Sequence, residues 1–154
     1  MPLVRDLSED EVRDGYTDKD GFHNGAKQIL EFDKAENKVQ QGTGQLTTFK
    51  KLGFAGKGSN HKPDGWNLPD DCTNVAIILE TKSSDKDIEN RIFINELLDN
   101  VKIANNKYPK VIGILYNGKE AKVFLNEKEK KDVTKTLQSK QFYKSLFDDF
   151  EIDT

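Results

Sequence analysis

The run Val75-Ala76-Ile77-Ile78-Leu79, which ends directly in Glu80-Thr81-Lys82, constrains the fold of this chain more than any other segment. An unbroken apolar stretch of this length reads as a strand buried on both faces, because a half-exposed strand would alternate polar and apolar residues. Such a strand calls for cover on each side, and the expected class is α/β, a mixed sheet flanked by helices. Successive strand side chains point to opposite faces, so Glu80 and Lys82 project together from the end of the strand while Thr81 turns away.

Asp64 enters through strand register. If residues 62–68 pair antiparallel with the apolar strand through the loop Pro69-Asp70-Asp71-Cys72-Thr73, a hairpin centred near Asp71 and Cys72 sets Asp64 opposite Leu79 or Glu80. Two carboxylates then converge with Lys82 beside them. Hard oxygen donors of this kind suit Mg²⁺, which takes one or two carboxylates and keeps several waters, and whose charge stabilises a phosphate under attack. Lys82 would orient or activate the attacking water, or neutralise charge in the transition state.

Pro63-Asp64 followed by Glu80-Thr81-Lys82 resembles the PD-(D/E)XK nuclease motif. The order of elements from about Asn24 to Leu125 resembles the N-terminal nuclease domain of type I restriction enzyme motor subunits and related restriction-modification proteins. The resemblance implies a restriction-endonuclease-like fold and Mg²⁺-dependent hydrolysis of DNA, with Mn²⁺ able to substitute. It makes Asp64 and Glu80 metal ligands, the Thr81 carbonyl a further ligand, and Lys82 the catalytic lysine. Many restriction subunits carry Gln-x-x-x-Tyr on the following helix as a DNA contact; Glu96 and Asn100 occupy those positions here, which is a departure. An accessory acid N-terminal to the motif is also implied, with Glu31 the better-placed candidate and Glu36 the other. Two further readings use the same residues: a non-catalytic domain of this fold that binds nucleic acid or a partner subunit, and a nuclease acting on RNA or branched DNA.

Composition bounds these readings. The 154 residues suit one domain with its own core, and the resemblance implies that it is part of a longer restriction-modification protein. No stretch is long and apolar enough to span a bilayer, and residues 1–28 contain no apolar block of the kind a secretory signal needs. The single Cys72 cannot form an internal disulfide, so a reducing, cytoplasmic location is expected. The formal net charge of −3 lacks the basic excess of a protein that grips DNA alone. Residues 37–62 nevertheless hold Lys38, Lys50, Lys51, Lys57 and Lys62 with no acid, and Lys57 and Lys62 are candidate phosphate contacts. The partners that the resemblance implies are DNA and the other domains or subunits that deliver it, which suits a chain without a basic excess.

Elsewhere, Ser8 and Glu11 form a capping-box pattern for a short helix through Asp14. Asp18-Lys19-Asp20-Gly21 reads as a turn without the ligand spacing of a calcium loop. Asn24 is expected to cap a helix to about Glu36, and a second helix is expected over 43–52 with Leu46, Phe49 and Leu52 on one face. A helix over 87–106, a buried strand over 110–116 parallel to the first, and a half-exposed hairpin partner after Asn117-Gly118 follow. A last helix spans about 134–148, with Leu137, Tyr143, Leu146, Phe147 and nearby Phe150 as its apolar stripe. Trp66, next to a buried strand, is expected in the core.

Overall fold

The computed structural model describes residues 5–133 and 135–148. In chain order these form α1 (Glu9–Asp14), the hairpin strands β1 (Tyr16–Asp18) and β2 (Gly21–His23), α2 (Ala26–Ile29), β3 (Val39–Thr43), β4 (Gly65–Pro69), β5 (Ala76–Thr81), α3 (Arg91–Ala104), β6 (Val111–Tyr116), β7 (Ala121–Leu125), β8 (Lys128–Glu129) and α4 (Lys140–Asp148). The fold is α/β. Strands β3 to β8 make one six-stranded sheet in sequential order, and β1 and β2 make a separate two-stranded one. Within the large sheet only β5 and β6 run parallel, joined across α3; a parallel pair requires such a crossover, whereas the antiparallel pairs need only turns.

The alternation along β5 divides the core. Ala76 and Ile78 face Leu97, Val101 and Ala104 of α3, while Val75, Ile77 and Leu79 face Leu30, Phe32 and Tyr143 on the opposite side. Every residue of β5 is buried, as its sequence requires. Gly113 in β6 lets α3 lie directly on the sheet, since a Cβ there would come within 2.7 Å of Val101 Cγ2. Trp66 is buried in the α3-side core.

Five expected elements need correction. The helix over 24–36 is the single turn α2, with Gly25 at its N-cap and Gln28 Oε1 accepting from the Gly25 N–H at 2.7 Å. Ala26, Leu30 and Phe32 are all buried, but positions 30 and 32 cannot share one face of a continued helix; Glu31, at φ 57°, redirects the chain between them. The segment 43–52 is not a helix. It begins as the end of β3, a strand with no counterpart in the sequence reading, and then turns. The Phe49 and Lys50 N–H groups donate to the carbonyls of His61 and Ser59, so Phe49 and Leu52 are buried while Leu46 stands 76 % exposed. Strand β7 is buried throughout rather than half-exposed: Ala121, Val123 and Leu125 enter one core, Phe124 enters the other, and the Lys122 ammonium is held by Glu89 at 2.9 Å and Glu129 at 3.0 Å. Two helices start later than the periodicity implied, α3 behind its Asn90 cap and α4 at Lys140, with Leu137 buried ahead of the helix. Thr134 and the side chains of Phe147 and Phe150 lie outside the described residues.

The Ser8 capping box and the turn at Asp18–Gly21 form as the sequence indicates. Among the described residues, no helix is long and apolar enough to cross a membrane.

Candidate active site

The pairing of β4 with β5 matches Gly65 to Leu79 and Trp66 to Ile78, which carries Asp64 to the level of Glu80. The backbone of Asp64 is held on both sides, donating to the Leu79 carbonyl at 3.1 Å and accepting from the Gly44 N–H at 3.0 Å. Gly65 allows the close approach, because a Cβ there would meet Leu79 Cδ2 at 2.9 Å and Phe32 Cδ2 at 3.2 Å. The Asp64 carboxylate folds over the end of β5, where Oδ2 accepts from the Thr81 N–H at 2.8 Å and from the Thr81 hydroxyl at 3.1 Å. Thr81 therefore does not turn away from the carboxylates as simple strand alternation implied. At the end of the strand its hydroxyl and amide both orient Asp64.

Helix α3 supplies the other wall. Asn100 Nδ2 donates to Glu80 Oε1 at 3.3 Å. One turn earlier, Glu96 Oε2 takes the Lys82 ammonium at 2.7 Å, and the Phe93 ring lies 4.7 Å beneath the same nitrogen. Lys82 Nζ is 3.9 Å from Glu80 Oε2. Positions 93, 96 and 100 keep helical spacing, so one face of α3 grips both Glu80 and Lys82.

Helix α1 adds groups that strand periodicity did not indicate. Glu9 and Arg13, four residues apart, both act electrostatically on Asp64 or feel its charge. Arg13 is 5 % exposed, with Nε and Nη2 donating to Asp14 at 3.1 and 2.7 Å and Nη2 also to Asp10 at 3.1 Å. Its Nη1 is buried without a hydrogen-bond partner among the described residues. The segment is anchored beside the site by Ser84, whose hydroxyl accepts from the Leu7 N–H at 2.6 Å and whose own N–H donates to the Leu7 carbonyl at 3.0 Å. The capping box makes this helix visible in sequence, but nothing local in residues 8–14 connects it to Asp64.

The charge state follows from this crowding. Asp64 and Glu80 are only 8 % and 9 % exposed. Burial raises the Asp64 carboxyl above its ordinary value against the opposing effects of the Thr81 hydrogen bonds, Arg13 and Lys82. Glu80 is pushed up to about 9, first by burial and then by Asp64, with Glu96 and Glu9 adding to the effect and Lys82 opposing it. Burial also raises Glu9, followed by the field of Asp64. Burial works against the charge on Lys82, but the bond to Glu96 and the fields of Glu80, Glu96 and Glu9 outweigh it, and its value rises. The ammonium is thus held firmly protonated.

Asp64 and Glu80 are hard oxygen donors that resist simultaneous ionisation, which fits a divalent cation better than an empty anionic pair. Among the described residues there is no group of three or more His, Cys, Asp or Glu arranged to hold a metal ion. Two carboxylates with water and backbone oxygens would be the donor set, which matches the few protein ligands Mg²⁺ takes.

Of the remaining sequence candidates, Glu31, Glu36 and Lys57 lie elsewhere. Glu31 forms an ion pair with Lys34 at 2.6 Å, and Glu36 one with the buried Lys140 at 2.5 Å; the acid N-terminal to the motif whose charge acts on Glu80 is instead Glu9. The turn that ends α2 swings Glu31 out to its surface partner. Lys57 lines an open groove of about 500 Å³ with His61 and, from α3, Asp99, Lys102 and Ile103, beyond Glu96 along the helix. Lys62 is exposed two residues before Asp64. Glu96 and Asn100 do reach the site, where they touch Lys82 and Glu80.

No protein-family model, no curated protein and no solved structure matches this chain.

Proposed function

We propose that this chain is a metal-dependent endodeoxyribonuclease module of the PD-(D/E)XK type, the DNA-cleaving part of a restriction-modification system. The observation that carries the reading is the joint burial of Asp64 and Glu80 at the end of β5, with the Lys82 ammonium 3.9 Å from Glu80. The two carboxylates would hold Mg²⁺ or Mn²⁺, with the Thr81 carbonyl as a further donor. Such an ion, when bound, polarises a phosphate and lowers the pKa of its water.

The chain's own groups have separable tasks in this reading. Thr81 fixes the rotamer of Asp64, and Asn100 fixes that of Glu80. Lys82, kept protonated by its acidic neighbours, suits charge neutralisation in the transition state or orientation of the attacking water better than proton abstraction. The net charge of −3 supports delivery of DNA by other domains or subunits rather than tight binding by this module alone.

A second reading, a non-catalytic domain of the same shape that binds nucleic acid or a partner subunit, draws on the engagement of Lys82 by Glu96. Nicking of supercoiled plasmid with and without Mg²⁺, using Asp64→Ala and Glu80→Ala as controls, separates the two. Nicking that requires Mg²⁺ and both acids is expected. Mn²⁺ binding without any nicking would favour the non-catalytic domain.

A further inference from the structure

Glu96 has an unusual position for a site built to receive an anion. Its side chain is 45 % exposed at the rim, yet Oε2 lies 2.7 Å from the ammonium of Lys82, whose side chain is only 14 % exposed. The nearer internal partner in sequence, Glu80, is more than an ångström farther away at 3.9 Å. The Phe93 ring, one turn before Glu96, closes another side of the same ammonium at 4.7 Å. Among the described residues, Lys82 therefore has one outward-facing partner, Glu96, while Glu80 and Phe93 fill its other sides. A carboxylate oxygen and a phosphate oxygen make equivalent charge-assisted hydrogen bonds to an ammonium.

We propose that Glu96 is an internal counter-ion which occupies on Lys82 the place of a substrate phosphate oxygen, so that a phosphodiester engages Lys82 only by displacing it. The proposal rests on the nuclease reading for the identity of the natural ligand, but the competition itself belongs to Glu96 and Lys82. Glu96 thus sets how readily the site accepts an anion. It lowers intrinsic affinity, which suits a module whose substrate is brought to it by tethering, because a high local concentration overcomes a competitor that free nucleic acid does not. Because the carboxylate stands at the rim, its removal leaves the packing of α3 on the sheet intact.

The test uses the full chain and Glu96→Gln, which keeps the shape and removes the charge, with Glu96→Ala as a second variant. Acylation of Lys82 by an amine-reactive ester, located by peptide mass spectrometry, reads the exposure of the ammonium. Inorganic pyrophosphate serves as the competing anion and is titrated for its ability to protect Lys82. Labelling of Lys82 should rise about fivefold in both variants, the scale expected for losing one partly screened ion pair, and protection should occur at about fivefold lower pyrophosphate. Equal labelling of wild type and variants would overturn the proposal. So would increased labelling that pyrophosphate protects no better than in the wild type. Failure of the nuclease reading appears separately, as absent Mg²⁺-dependent nicking, and leaves these two measurements unaffected.

Discussion

Asp64 Oδ2 accepts both the amide and the hydroxyl hydrogen of Thr81, at 2.8 and 3.1 Å, so one oxygen of the carboxylate is committed to β5. Thr81→Val keeps the shape and the amide bond but removes the hydroxyl. The loss of one buried hydrogen bond should cost about 1 kcal/mol in urea unfolding and weaken Mn²⁺ binding by loosening Asp64. Unchanged Mn²⁺ affinity would show that the amide alone sets the carboxylate.

Metal binding should depend on both acids. Asp64→Ala and Glu80→Ala are each expected to abolish the calorimetric signal of Mn²⁺ and to leave the far-UV circular dichroism spectrum intact, since neither side chain belongs to the apolar clusters. Undiminished Mn²⁺ binding by both variants would rule out this pair as the metal site.

Lys82→Ala should retain Mn²⁺ binding and lose most cleavage, because in the proposed mechanism the ammonium acts on charge or water rather than on the ion. Full plasmid nicking by this variant would reduce Lys82 to a partner of Glu96.

Stability without metal should fall as pH rises. Glu80 is raised from 4.5 to about 9, so the folded state favours its protonated form; that stabilisation is complete below about 4.5 and is lost as pH climbs through 9. Asp64 and Glu9, also raised, act in the same direction. Glu11, lowered to about 2 first by its bond to Arg5, acts oppositely, but only below about 4.5. Glu80→Gln should flatten the decline between pH 5 and 9 in urea titrations, and Mg²⁺ should flatten it in the wild type. A wild-type profile already flat across that range would contradict the burial of an ionisable Glu80.

Gly65→Ala should damage both fold and site. The added methyl would meet Leu79 Cδ2 at 2.9 Å, Leu79 Cβ at 3.1 Å and Phe32 Cδ2 at 3.2 Å, inside a packed core. Overpacking of this kind costs about 1–3 kcal/mol, and separation of β4 from β5 would carry Asp64 away from Glu80. Wild-type stability together with wild-type Mn²⁺ affinity would show that the strands absorb the methyl without moving.

Residues 64–82 carried their arrangement in local sequence. The apolar run could be satisfied only by a strand covered on both faces, and the turn around Asp71 and Cys72 set a register that brings Asp64 level with Glu80. Pairing across so short a connection depends on turn chemistry and strand period, which neighbouring residues encode. The surroundings depended on tertiary packing. Glu9 and Arg13 reach Asp64 because α1 is anchored at Ser84, while Glu31 is carried off by a left-handed turn whose purpose is to bury Leu30 and Phe32. Phe93, Glu96 and Asn100 had helical spacing in the sequence, yet only the seating of α3 across Gly113 determined which face of the helix meets Lys82 and Glu80. Helix period specifies which residues share a face; the close packing of that face against a particular strand specifies what they touch.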